Sequence, residues 1–241
     1  MLLYAQKKQL ATARESLKTG KELVKAEKSM QNLLEDSVNR TNTKIWVMLC
    51  DILMKQYEQG NEKLYLKQQY DTAAFFSVTK RMYETMAKFD SIDAHLNMPS
   101  PVLPKYRERH AQFLNSIRPN LFNGGTYFLH VKDYKTAYDY FDNYIKTDKQ
   151  SLFIGYDYEH KDDLMPHAAY WAMYCGYKLG DTEKTMRYLN LAERDSSMLN
   201  FVRQYEASAY LMQKDTTKYL KALQEGFKEY PNFAFFFPRL V

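Results

Sequence analysis

Acidic and imidazole side chains are concentrated in one short stretch, "YDYEHKDDLMPH" (156–167), where they could bind a divalent cation. The stretch carries Asp157, Glu159, His160, Asp162, Asp163 and His167. Their spacing fits neither the calcium loop of an EF-hand nor the cysteine and histidine pattern of a zinc site. A solvated loop whose acids cap helices explains the same residues. A metal-dependent enzyme is therefore only a remote alternative.

Other residues that could do chemistry are scattered along the chain. No G-x-S-x-G, H-E-x-x-H or phosphate-loop pattern occurs, and the remaining histidines have no cysteine or acid at ligand spacing. Cys50 and Cys175 lie far apart, each within an apolar helical pattern. Both are expected to be buried thiols, although a disulfide stays open. The sequence thus predicts a non-catalytic protein that requires no cofactor and no metal.

A row of aromatic side chains follows "HAAYWAMYCGYK" (167–178) when this segment is wound as a helix of 3.6 residues per turn. One stripe of that helix carries His167, Tyr170, Tyr174 and Tyr177. The adjacent stripe carries small residues that can pack against a returning helix: Ala169, Ala172, Met173 and Gly176. Two interpretations of the tyrosines remain open. They either line a ligand surface or fill the core between helices, since tyrosine is commonly half-buried.

Composition indicates that helices must position these residues. The 241 residues include only 8 Gly and 7 Pro, beside 21 Tyr, 14 Phe and 12 Met, which favours long helices over many-stranded sheets. The net charge is +5, but acids and bases are interleaved, so no nucleic-acid footprint is expected. No apolar run approaches the roughly 20 residues of a membrane-spanning helix.

One turn recurs along the chain, and the spacing of its copies gives the length of a repeat. Asp181 and Asp215 stand in matching turns 34 residues apart, and Asp133 opens an earlier copy. A helix–turn–helix unit of about 34 residues with W-x2-L-G-x2-Y and A-x3-F is the tetratricopeptide signature. "LFNGGTYF" (121–128) followed by Ala137 and Phe141 resembles that signature, as does Trp46-x2-Leu49-Cys50-x2-Leu53.

The resemblance to tetratricopeptide repeat proteins implies an all-α, right-handed superhelical solenoid of antiparallel helix pairs. Residues 7–241 would form this single array, with hairpins at about 7–40, 41–90, 104–149, 165–199 and 200–233 and the start of a further helix at 234–241. Two hairpins are enlarged, and 91–104 is a connecting loop. The adjacent glycines Gly124 and Gly125 are predicted to form a notch for close helix packing, because a helix-interior glycine otherwise costs about 1 kcal/mol relative to alanine.

The same resemblance places the stripe of His167, Tyr170, Tyr174 and Tyr177 on a concave groove. Equivalent positions in the neighbouring copies are Phe122, Thr126, Gln204 and Ser208. Some members of the family clamp a partner's C-terminal carboxylate with Lys and Asn on this stripe. The residues here are of other types, which makes that form of recognition doubtful.

The leading hypothesis is therefore a scaffold that binds a protein or a peptide in an aromatic groove. The alternative is a module that stacks carbohydrate or a small ligand on the row from Tyr170 to Tyr177. Solenoids offer extended concave surfaces for either purpose.

Both ends of the chain raise further expectations. "MLLYAQKK" places an apolar segment before basic residues, which fits residues 1–6 as the remnant of a signal sequence cleaved after Ala5. A frayed N-terminus explains the same residues equally well. "AQKKQLATARESLKTGK" and "RPNLFNGG" also resemble exported bacterial tetratricopeptide proteins, which predicts a periplasmic location, with a cytoplasmic one as the alternative. The apolar "NFAFFFPRLV" (232–241) lies on the fifth hairpin, meets another molecule in an oligomer, or belongs to a longer array.

Overall fold

Residues 2–96 and 104–241 are described by a computed structural model, and within these ranges the protein is all-helical, without a strand. Thirteen α-helices occur there: α1 Leu2–Thr19, α2 Leu23–Glu35, α3 Thr43–Tyr65, α4 Thr72–Leu96, α5 Arg107–Ile117, α6 Pro119–His130, α7 Tyr134–Lys146, α8 Tyr158–Lys161, α9 Leu164–Leu179, α10 Thr182–Met186, α11 Leu189–Ala192, α12 Leu199–Met212 and α13 Thr216–Glu229. None of the helices in the described residues is long and apolar enough to cross a membrane.

The chain forms two compact units. The first contains the residues up to Asn120 together with Gln150–Ile154, and the second contains Leu121–Lys149 and Gly155–Val241. The single array over 7–241 stays a prediction, and each unit is described separately.

In the first unit, consecutive helices from α1 to α4 contact one another around a core that excludes water. Trp46 of α3 stacks nearly parallel on the fully buried Phe89 of α4, with ring centroids 6.0 Å apart. Buried Asp90 of α4 accepts two hydrogen bonds of 2.8 Å from Arg107 and one of 2.8 Å from Ser151. This paired carboxylate fixes the distant segment Gln150–Ile154 in the first unit.

In the second unit, α9 is the central helix and contacts α7, α10, α11 and α12. Its small residues face inward, as the sequence predicts for that stripe. Ala169 and Ala172 are fully buried, and a Cβ atom at Gly176 would clash with the backbone of Thr185 in α10. The absence of a side chain at Gly176 therefore allows α9 and α10 to approach closely.

The turn that recurs in the sequence has one geometry in all three copies. Asp133, Asp181 and Asp215 each cap the following helix, accepting backbone hydrogen bonds of 3.0, 2.9 and 3.0 Å respectively. Such caps satisfy amide groups that a helix start leaves unpaired. The residue before each aspartate is left-handed, with φ of 63° at Lys132, 67° at Gly180 and 59° at Lys214.

Gly180→Ala is expected to lower the free energy of unfolding by about 1–2 kcal/mol, because only glycine adopts this backbone conformation without strain. A Cβ atom at Gly180 would meet no atom within 4 Å, so packing contributes nothing to the effect. Lys214→Ala is the matched control, since the strained turn there already carries a side chain. Chemical denaturation measures both variants, and a Gly180→Ala protein as stable as the parent would refute the prediction.

Three segments differ from the sequence predictions. The loop expected at 91–104 begins later, because α4 continues to Leu96, and residues 97–103 lie outside the described range. The expected return helix after Asp181 is divided into α10 and α11 at Arg187 and Tyr188. Near the C-terminus, the expected helix start at 234–241 is a single 3₁₀ turn, Phe237–Arg239.

The C-terminal phenylalanines pack against α12 and α13, which cover the segment predicted as the fifth hairpin. Phe236 is fully buried, and its ring occupies the space beside Gly226 of α13 where a side chain would otherwise lie. Phe233 and Phe235 are partly buried against the same cluster. Of the three possibilities considered for residues 232–241, packing within this chain therefore accounts for these rings. Phe237 remains 53% exposed.

Candidate functional site

The predicted tyrosine row divides into a buried residue and two part-exposed ones. Tyr170 is only 5% exposed and lies among the rings of Trp171, Phe201 and Tyr205, with centroids 4.9, 6.5 and 6.2 Å away. Burial raises the pKa of Tyr170 above its ordinary value. Tyr170 therefore belongs to the core, and the expectation that it lines a groove is wrong for this residue.

Three part-exposed aromatic residues of α9 form, with one residue of α7, a patch that we call the aromatic surface. The aromatic surface consists of Tyr134, Trp171, Tyr174 and Tyr177. Tyr174 packs edge-on against Tyr134 at 6.0 Å and against Trp171 at 5.7 Å. The ammonium of Lys178 lies 5.5 Å from the centre of the Tyr174 ring. The patch therefore combines apolar area, hydroxyl groups and one positive charge.

Buried Tyr205 of α12 supports this surface from beneath. Its ring stacks on Tyr177 with centroids 4.9 Å apart and an angle of 27° between the planes. It also lies 5.8 Å from the Tyr174 ring. The stacked Tyr205 ring covers one face of Tyr177. Because Tyr205 is itself only 5% exposed, it is held by the core and gives the aromatic surface a rigid base.

The other predicted groove residues join this site unequally. Phe122 is part-exposed and stacks on His167 at 6.0 Å, which places both beside the start of the α9 row. The Thr126 hydroxyl donates to the backbone oxygen of Phe122 at 3.2 Å. Ser208 is buried and donates to the backbone oxygen of Gln204 at 2.8 Å, so it presents no group to a ligand. Gln204 itself is part-exposed.

His167 takes part in a hydrogen-bond chain that uses both of its ring nitrogens. Trp171 Nε1 donates to His167 Nε2 at 3.0 Å, so His167 Nδ1 carries the hydrogen and donates to Asp195 at 2.8 Å. Burial disfavours charge on Asp195, but hydrogen bonds from Ser197 and His167 outweigh it and lower the pKa of this carboxyl. The lone pair that a general base would use accepts from an indole. The arrangement therefore orients Trp171 within the aromatic surface.

The acidic stretch 156–167 is occupied by local structure. Asp162 accepts a hydrogen bond of 2.6 Å from Tyr144 and caps the amide of Leu164 at 3.0 Å, while Glu159 pairs with Lys149 at 2.6 Å. Within the described ranges, no group of three or more His, Cys, Asp or Glu side chains could hold a metal ion.

The remaining candidate groups are buried. Cys50 and Cys175 are free thiols within the core, and burial raises the pKa of Cys175 to about 12. His110 is 2% exposed, and burial lowers its pKa to about 4. At neutral pH these side chains carry no charge, so they act as packing residues.

Sequence reasoning missed Trp171, Tyr134, Tyr205 and Asp195. Trp171 lies four residues after His167 on the same face of α9, so helical spacing could have identified it. Tyr134, Tyr205 and Asp195 come from other segments, and nothing in the spacing along α9 indicates that they meet it.

No family model, no characterised protein and no solved structure matches this chain.

Proposed function

We propose that this protein is a non-catalytic scaffold of the tetratricopeptide type whose aromatic surface binds a peptide or an extended segment of a partner protein. The observation that carries the proposal is that Tyr134, Trp171, Tyr174 and Tyr177 are all part-exposed and lie side by side. Tyr174 contacts both Tyr134 and Trp171, and Tyr177 follows Tyr174 on the same face of α9. Tyr and Trp bring large contact area to an interface at a small cost in conformational entropy.

The base of the surface supports recognition without rearrangement. Tyr177 is stacked on buried Tyr205, and the hydrogen-bond chain from Asp195 through His167 orients Trp171. Side chains that are already fixed lose little freedom when a partner binds, which favours affinity.

A peptide explains the surface better than a carbohydrate does. Sugars stack on the open faces of aromatic rings, but one face of Tyr177 is covered by Tyr205 and Tyr170 is in the core. The rings of Tyr174 and its neighbours meet edge to face, so they do not form a flat platform. An uneven aromatic surface of this kind suits the apolar side chains of a peptide. The superhelical array, export and a mature start at Gln6 belong to the same proposal and rest on the sequence.

Selection from a displayed library of random peptides tests the proposal. We expect peptides rich in apolar and aromatic residues to be enriched on the parent protein and on Tyr65→Ala, and lost on Tyr174→Ala. Tyr65 is a suitable control because it is 84% exposed and lies in the first unit. A glycan array is probed in parallel. Binding of glycans without enrichment of peptides would replace this proposal with the carbohydrate alternative.

A further inference from the structure

A cleft lies in the second unit, apart from the aromatic surface. It has a volume of about 410 Å³ and opens where the chain passes from α10 to α11. Its apolar wall is formed by Ile145, Met165, Met186, Leu189 and Leu191. No residue of the aromatic surface lines it. Pockets of about 300–1,000 Å³ with mainly apolar walls are typical of sites for small ligands.

Local unwinding of the chain creates this cleft. Tyr188 has φ of −115° and ψ of 22°, so the helical hydrogen-bonding pattern is interrupted between α10 and α11. The Tyr188 hydroxyl donates to buried Asp142 of α7 at 2.6 Å. This bond ties the unwound residue to α7. The sequence of the segment contains neither proline nor glycine, so the break is set by this packing.

Four basic side chains line the cleft, and three of them are paired with acids. Lys146 and Arg187 share the Asp142 carboxylate, at 2.6 and 3.4 Å. Lys149 lies between Asp148 and Glu159, at 2.9 and 2.6 Å. These cations are balanced by the protein's own carboxylates.

The fourth basic side chain, Arg194, is the exception. Its Nη2 donates to the backbone oxygen of Glu159 at 2.9 Å, a neutral acceptor. Across residues 2–96 and 104–241, no carboxylate forms an ion pair with Arg194. A guanidinium has five N–H donors, so most of them are free to meet a ligand. The hydrogen bond to Glu159 holds this charge at the mouth of an apolar cleft.

We propose that this cleft binds a small apolar carboxylate, with its carboxylate paired to Arg194 and its hydrocarbon chain against Met165, Leu189 and Leu191. The planar guanidinium matches a carboxylate through two parallel hydrogen bonds. One uncompensated cation suits a monoanion, whereas a phosphate dianion would require a second. The apolar wall of the cleft favours a ligand with a hydrocarbon chain, because that chain is removed from water when it binds there. The inference is independent of peptide binding, because the two sites share no residue.

Calorimetric titration with octanoate, 1-octanol and octylamine tests the proposal on the full chain. Octanoate is expected to bind at a single site. The alcohol and the amine should bind at least about tenfold more weakly, because a hydrogen bond to a charged group contributes about 1.5–3 kcal/mol. Arg194→Gln should weaken octanoate by about tenfold or more for the same reason. Asn190→Trp, at an exposed lip of the cleft, should abolish binding by filling the space.

Arg40→Gln is the matched control. Arg40 is an exposed arginine that also donates to a backbone oxygen, that of Glu35 at 3.3 Å, and it lies in the first unit. Its replacement should leave octanoate affinity unchanged. The proposal is overturned if octanoate does not bind, if octanol binds equally well, or if Arg194→Gln and Arg40→Gln have the same affinity. Binding that survives Asn190→Trp would place the ligand elsewhere and also overturn it.

Discussion

Replacing Tyr170 with alanine is expected to lower the free energy of unfolding by about 3–5 kcal/mol, the cost measured for large buried aromatic residues. The ring is 5% exposed and fills the space between Trp171 of its own helix and Tyr205 of α12. Its removal would leave a cavity in the central packing of the second unit. Denaturant unfolding followed by far-ultraviolet circular dichroism measures the change.

Two further substitutions separate the causes. Tyr170→Phe removes only the hydroxyl and keeps the buried ring, so it should cost far less than Tyr170→Ala. Tyr65→Ala should have almost no effect, since that ring is 84% exposed. A Tyr170→Ala protein that unfolds at the same denaturant concentration as the parent would show that Tyr170 is not part of the core.

Gly125→Leu is expected to destabilise the protein by about 1–3 kcal/mol through overpacking. A Cβ atom at Gly125 would lie 2.7 Å from the ring of Phe141, which is fully buried. The Phe141 ring cannot easily withdraw, because it packs edge-on against Phe122 at 5.4 Å. Helix propensity alone predicts the opposite sign, since glycine is among the poorest helix formers. The direction of the change therefore decides between the two effects.

A double-mutant cycle identifies the contact responsible. If the Phe141 ring causes the overpacking, Phe141→Leu should provide space, and the double variant with Gly125→Ala should be more stable than the sum of the single effects predicts. Strict additivity would indicate that Gly125 and Phe141 do not compete for space. A Gly125→Leu protein that melts above the parent would contradict the notch itself.

Features that depend on residues close in sequence were predictable. The capping aspartates at 133, 181 and 215 were identified as one recurring turn, and the structure gives each the same hydrogen bond. The compact packing at Gly125 followed from the high cost of glycine in a helix. All these signals are local and depend on backbone chemistry that a short window contains.

Features that depend on distant partners were not predictable. Helical periodicity placed Tyr170, Tyr174 and Tyr177 on one stripe, but it could not show that Tyr205 of α12 covers the first and supports the last. The break between α10 and α11 likewise depends on Asp142 of α7. No residue pattern in the sequence of α9 or α10 indicates that Tyr205 or Asp142 packs there.

Affinity of the Tyr174→Ala variant for a peptide selected on the parent protein, measured together with its stability, tests the central claim most directly. The account predicts binding weaker by about 1–3 kcal/mol, which is about five- to a hundred-and-fiftyfold, because a part-exposed aromatic residue at an interface contributes to affinity. The free energy of unfolding should change far less than for Tyr170→Ala, since Tyr174 lies at the surface of the unit. Unchanged affinity for the selected peptide, or a Tyr174→Ala protein that fails to fold, would contradict the assignment of the aromatic surface as the binding site.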